Sequence, residues 1–188
     1  MPMRNTFPLL LLIGIFFTGP CYSLEELEAD KNDTDLISVE KETWKEGDVV
    51  IPAFPQSDDL IKVEIDKGEQ LFNFYIDAKN LSALPKQGVT RYTVVIESDS
   101  GAKNVLFEGI RCQTREYKTY AYGTYDNKLS KAITSEWKLI READSMTHRY
   151  NFYRYYLCSE YLIPNPLDIV LQKIKYPENF QVSDERDD

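Results

Sequence analysis

The stretch NVLFEGIRCQTREYKTYAYG, residues 104–123, concentrates the side chains of this 188-residue chain that suit recognition chemistry. Arg111, Arg115 and Lys118 supply charged donors, and Tyr117, Tyr120 and Tyr122 supply ring faces and hydroxyls. Guanidinium groups bind carboxylates and phosphates through paired hydrogen bonds, and cations and flat ligands pack on aromatic rings. The group therefore reads as a surface for a small anion, a glycan or an envelope-protein partner. Its rival is a solvated face whose cations pair with Glu97, Glu108 and Glu116, which would contribute little to either stability or binding.

Catalysis has fewer resources. His148 is the single histidine, and no GxSxG, GxGxxG or P-loop sequence occurs. A zinc site would have to be assembled from acids without a ligand spacing, so neither a metal nor a cofactor is expected. Paired carboxylates of the glycoside-cleaving kind remain. Asp77, after FNFY, and Glu108, inside LFEGIRC, are the two that such chemistry would draw on, with an ion pair to a neighbouring arginine as the structural alternative.

The overall charge narrows the partners. With 31 acids against 22 bases the formal charge is −9, which disfavours nucleic acid and anionic membranes as bulk partners. Between Leu24 and Glu69 there are 15 acids and 5 lysines. In that segment DKNDTD has Asp30, Asn32 and Thr34 at alternate positions, as a calcium loop would, but Asp35 stands where such a loop needs glycine and Lys41 where it needs glutamate. It reads as a solvated acidic run.

The first residues set the compartment. Arg4 precedes an apolar run from Phe7 to Phe17, the length of a secretory signal core and short for a bilayer span. Pro20 breaks it, and Cys21 and Ser23 place small residues at a cleavage site after Ser23. Acylation at Cys21 is the alternative, weakened by Pro20 where a lipid-attachment motif wants Gly or Ala. The expected product is a soluble periplasmic protein, without a membrane span in its mature form. It retains Cys112 and Cys158, and an even count in an exported chain reads as a disulfide.

Four segments follow: a signal peptide over 1–23, an acidic flexible lead over 24–43, one domain over 44–176 and an acidic tail over 177–188. VVIPAFPQ, with Pro52 and Pro55, suits an edge or polyproline-like segment. LIKVEID and QLFNFYID form a hairpin around Lys67-Gly68-Glu69, and AKNLSALPKQG is loop. VTRYTVVIES is the strongest strand, joined through the turn DSGA to KNVLFEGIRC. Gly109 inside that strand marks a bulge or a close backbone approach. If alternation runs on, Cys112, Thr114, Glu116, Lys118, Tyr120 and Tyr122 share one face, and Arg111, Gln113, Arg115, Tyr117 and Thr119 the other. TSEWKLIRE, anchored by Trp137, is a further strand or the start of a helix. A helix follows over 147–161 with Tyr150, Tyr153, Leu157 and Tyr161 at helical spacing. A second is capped by Asn165, with Pro166 in its first position and Leu167, Val170, Leu171 and Ile174 as its apolar stripe. Strands first and helices last predict an α+β fold: an antiparallel sheet of about five or six strands, C-terminal helices on one face, and a disulfide joining the layers.

These motifs also carry a resemblance. GVTRYTVVIESDSGAKNVLFEGIRCQTREYKTYAYG, followed by SEWKLI and by a cysteine after an aromatic helix, resembles the cryptic-neisserial-protein-like family of exported Gram-negative bacterial proteins. The similarity spans Trp44 to Cys158 and includes VIPAFP and FYID. It implies a periplasmic or envelope location and one domain, and supplies no catalytic residues. The expectation is thus a periplasmic domain that binds a small anionic, glycan or envelope-protein partner. The rivals are an envelope hydrolase using carboxylates and a structural envelope component.

Overall fold

The computed structural model describes residues 44–65, 72–142 and 147–177. The expected signal peptide, the acidic lead, the turn at Lys67-Gly68-Glu69 and most of the acidic tail lie outside the described residues. Eight strands are present among those described: β1 (Leu60–Val63), β2 (Phe72–Asp77), β3 (Ser82–Leu84), β4 (Val89–Ser98), β5 (Lys103–Arg111), β6 (Glu116–Gly123), β7 (Leu129–Lys131) and β8 (Lys138–Leu139). They form one antiparallel sheet with the path β1-β2-β4-β5-β6-β7, so the sheet is larger than the five or six strands expected. The additions are short. β3 lies inside the segment expected to be loop and pairs with the first residues of β4, while β2 takes the last five on the same edge. β8 and β7 share the outer edge of β6 in the same way. Strands of two or three residues carry too little alternation to stand out in a sequence.

β4 and β5 are buried on both faces, which is why they read as near-continuous apolar runs. On one face Tyr92, Val94, Ile96, Leu106 and Ile110 meet Phe152, Tyr156, Leu157, Val170 and Ile174 of the C-terminal helices. On the other, Phe107, Tyr120 and Ala121 are covered by Val49 and Ile51 of an extended segment, Trp44–Gln56. That segment, the strap, has no ladder of its own, as Pro52 and Pro55 require.

α1 (Thr147–Asn151) continues as one π-helical stretch, Phe152–Leu157, and ends there rather than at Tyr161. Widening the helix changes its buried stripe. Phe152, Tyr156 and Leu157 point into the core, with His148 and Asn151, where the regular spacing had favoured Tyr150, Tyr153 and Tyr161. α2 (Leu167–Lys175) buries Val170 and Ile174. Asn165 does not cap it. Its side-chain amide donates to the Tyr156 carbonyl at 2.8 Å and its backbone N–H to the Leu157 carbonyl, pinning the connection between the helices. Cys112 and Cys158 are bonded, with Cα atoms 5.6 Å apart, so the sheet and helix layers are stapled as expected.

The long strand expected from Lys103 through Gly123 is two strands. The chain turns at Cys112–Arg115, with Arg115 at φ 54° and its N–H donating to the Cys112 carbonyl, so that Arg111 faces Glu116 across the hairpin. Gly109 is a close approach: a Cβ there would lie 2.5 Å from the Tyr120 hydroxyl oxygen. The bulge lies on the partner strand, where Tyr120 is the extra residue between Thr119 and Ala121. The close approach therefore holds at Gly109, made by a side chain rather than by backbone, and the bulge is not at that glycine.

Candidate ligand-binding face

The hairpin distributes the six residues of the basic-aromatic set over both sides of the sheet. Arg111, Lys118 and Tyr120 meet on the strap side. The Arg111 guanidinium lies 3.9 Å over the Trp44 ring and 3.7 Å from the Glu116 carboxylate. The Lys118 ammonium donates to Glu46 Oε2 at 2.9 Å and stands 5.6 Å from the Tyr120 ring and 5.7 Å from the Trp137 ring. The Tyr120 hydroxyl donates to Glu46 Oε1. Burial and the Glu46 carboxylate push the Tyr120 phenol far above its ordinary pKa, so it stays protonated and keeps that donor role.

Arg115 and Tyr117 go to the helix side. The Arg115 guanidinium rests 5.2 Å over Tyr150 and 5.7 Å over Tyr153, and Tyr117 carries Arg149 at 3.9 Å from its ring. Tyr122, opposite Leu106, is 47% exposed. Arg111 and Arg115 therefore cannot clamp one anion between them.

The strap side gains four residues that the sequence did not single out as a site. Arg91, from the middle of β4, donates from Nη1 to the Asp48 carbonyl at 2.9 Å. From Nη2 it donates to the Gly47 carbonyl at 3.1 Å, to Gln87 Oε1 at 3.2 Å and to Glu46 Oε1 at 3.5 Å. Trp44 and Trp137, the two tryptophans of the chain, meet edge to face at 5.7 Å, and the Trp44 indole N–H donates to the Gln87 carbonyl. Glu46 is the carboxylate on which Arg91, Lys118 and Tyr120 converge. The available sequence signal for this centre is Arg91 itself, a charge set inside the apolar strand VTRYTVVIES.

The two carboxylates chosen for acid/base work are both engaged structurally. Glu108 is fully buried and accepts from Tyr92 at 3.0 Å, Thr119 at 2.8 Å and Arg149 Nη2 at 2.6 Å, with His148 Nε2 at 3.3 Å. Burial alone would raise its pKa, but the hydrogen bonds and charges of His148 and Arg149 outweigh it and hold the carboxyl at about 2. A carboxylate so held has no proton to donate at neutral pH and little basicity to offer. The ion pair with an arginine is the reading that the geometry fits, although the arginine comes from the helix rather than from the neighbouring strand. Asp77, also buried, accepts from the backbone N–H groups of Lys79 and Asn80 and from the Asn80 side chain at 2.7 Å, closing the turn after β2. His148 is sealed in the same core, stacked on Phe74 at 5.5 Å.

Among the described residues no group of three His, Cys, Asp or Glu side chains is placed to hold a metal ion, and no helix is long and apolar enough to cross a membrane. Two clefts open beside the strap. One, of about 390 Å³, is lined by Arg91, Phe107, Val50, Pro52, Leu81 and Ser82 among others. The second, of about 340 Å³, lies between Phe54, Leu60, Val105 and Tyr125.

No curated protein and no solved structure matches the chain. The family model that does match, that of the CNP1-like family, covers residues 39–175, which takes in every described strand, the strap and both helices. The chain belongs to the CNP1-like family.

Proposed function

We propose that this protein is a periplasmic binding domain that recognises an anionic envelope partner on the sheet face beneath the strap. One observation carries the reading. Arg91, Lys118 and Tyr120 converge on a single carboxylate inside a frame of two tryptophans, with Arg111 packed on one of them. Cations desolvated against aromatic rings bind carboxylates more strongly than the same cations in open solvent. The hydrolase reading has no comparable support, since Glu108 and Asp77 are bound to structural partners.

Export to the periplasm is part of the proposal. It rests on the signal-like N-terminus and on the Cys112–Cys158 bond, which an oxidising compartment maintains. Periplasmic protein should have the intact mass of a chain beginning at Leu24. A mass showing a fatty acyl group on Cys21 would replace the soluble product with a tethered one.

Binding can be read directly, because both tryptophans belong to the face. Titration with acidic peptides and with uronic-acid oligosaccharides should produce a saturable change in tryptophan emission. The Lys118→Ala variant should weaken it about tenfold, the effect of losing one charge-assisted hydrogen bond. A flat titration with both probe classes would refute the binding function.

A further inference from the structure

Glu46 occupies its position as a ligand would. Its carboxylate receives Lys118 on Oε2, and Tyr120 and Arg91 on Oε1, and all three donors belong to the sheet. Glu46 itself belongs to the strap, which runs over the sheet without pairing to it. Two further sets of hydrogen bonds tie the strap down. Arg91 donates to the Gly47 and Asp48 carbonyls, and the Trp44 indole donates to the Gln87 carbonyl. The sheet thus reads one carboxylate and the two backbone carbonyls that follow it. That is the chemistry of an acidic extended peptide, and any such segment presents the same groups.

A second, independent observation points the same way. The Arg91 side chain is 9% exposed, yet its Nε has no hydrogen-bond partner, although buried polar atoms are ordinarily paired. Arg91 and Phe107 also line the cleft of about 390 Å³ that runs beside strap residues Val50 and Pro52. The strap therefore leaves unused both a donor and the room next to it.

We infer that this face is a carboxylate-receiving site whose resident occupant is Glu46, and that its outside ligand is an extended acidic peptide that displaces the strap. The inference rests on the binding reading above for its biological sense, but the receptor itself can be tested apart from it. The strap keeps the site filled and its cations compensated when no partner is present. A partner must then supply a better-placed carboxylate, with contacts in the adjoining cleft to favour it over the tethered competitor.

The experiment uses the full chain carrying Glu46→Ala, which empties the receptor, and acetate as the probe. At constant ionic strength, replacing chloride by acetate should raise the Tm of this variant by about 3–5 °C, as mass action on the folded state requires. Acetate should leave the wild type unchanged, and should leave Glu46→Ala combined with Lys118→Ala unchanged. Should Glu46→Ala not fold, Glu46→Gln keeps the volume of the side chain and serves in the second arm. There, a blocked synthetic peptide with the sequence of residues 44–56 is titrated by calorimetry. It should bind the variant at least about tenfold tighter than the wild type, and its Glu→Gln version should lose that gain. Equal Tm values in acetate and chloride would overturn the receptor, and so would a rise of the same size with sulfate, which would mark unspecific anion binding. Equal peptide affinity for variant and wild type would overturn displacement of the strap. If acetate restores the variant while the wild type ignores every acidic peptide and oligosaccharide, the receptor stands and the binding function falls.

Discussion

Replacing Glu108 by Gln should cost this fold about 3 kcal/mol at neutral pH, and the loss should shrink in acid. Glu108, on β5, is fully buried, and Arg149 and His148 approach its carboxylate from α1. Its carboxyl is held at about 2 where 4.5 is ordinary, against a burial that pushes the other way. At about 1.4 kcal/mol for each pH unit of depression, the ionised form contributes about 3 kcal/mol to folding. Removing one partner of a buried ion pair by mutation costs a similar roughly 3–5 kcal/mol. For a domain of this size that is a fall in Tm of roughly 10 °C. The sign follows from the direction of the shift. A carboxyl with a lowered folded pKa stabilises the protein fully above 4.5, and that stability drains away as pH falls toward 2. Urea unfolding of wild type and Glu108→Gln, followed by tryptophan emission at pH 7, 4 and 2.5, provides the assay. The gap between the two should be widest at pH 7 and should close by more than half at pH 2.5. A gap below about 1 kcal/mol at pH 7, or one that stays constant across the series, would refute the account of Glu108 as the ionised pin of the helix layer.

Two further outcomes are expected. Replacing both Cys112 and Cys158 by Ser opens a loop whose ends are 46 residues apart and should cost about 4 kcal/mol on chain-entropy grounds. The check is urea unfolding under non-reducing conditions, and a loss under about 1 kcal/mol would mean that packing alone holds the layers. Gly109→Ala drives a methyl group to 2.5 Å from the Tyr120 hydroxyl oxygen and should destabilise by about 1–3 kcal/mol. Because the hydroxyl is the nearest clash, Tyr120→Phe in the same chain should recover part of that loss, and a purely additive double variant would show that the clash lies elsewhere.

What could be read from the sequence divides along physical lines. β4 matches its predicted bounds at both ends, because seven β-branched and aromatic side chains in ten residues leave no rival pattern. The turn glycine Gly101, at φ 82°, and the disulfide follow from rules that need no tertiary context. The short strands β3 and β7 exist because a neighbouring longer strand offers them an open edge, which two or three residues do not announce, whereas β8, equally short, falls inside TSEWKLIRE, where a strand was one of the two readings. The candidate face was legible by half. Arg111, Lys118 and Tyr120 are neighbours in sequence and in space, whereas Glu46 lies 72 residues from Lys118 and 74 from Tyr120. Arg115 and Tyr117 were drawn into the same set by proximity alone. The hairpin turn at Cys112–Arg115 resets the alternation, so that Arg111 joins Lys118 on the strap side while Arg115 and Tyr117 lie on the helix side.

The strap also has a history in time. It is made before the sheet that it covers, since Glu46 leaves the ribosome 74 residues ahead of Tyr120. At a synthesis rate of about 5–20 residues per second, that is a wait of roughly 4–15 s. Until it ends, Val49, Ile51 and Phe54 have no finished β6 to lie on. A β-branched, aromatic segment exposed for seconds is a template for strand pairing between nascent chains. Pro52 and Pro55 remove two of its backbone donors and hold it away from flat extended geometry. The same prolines that keep the strap from joining the finished sheet thereby guard the unfinished chain against joining another.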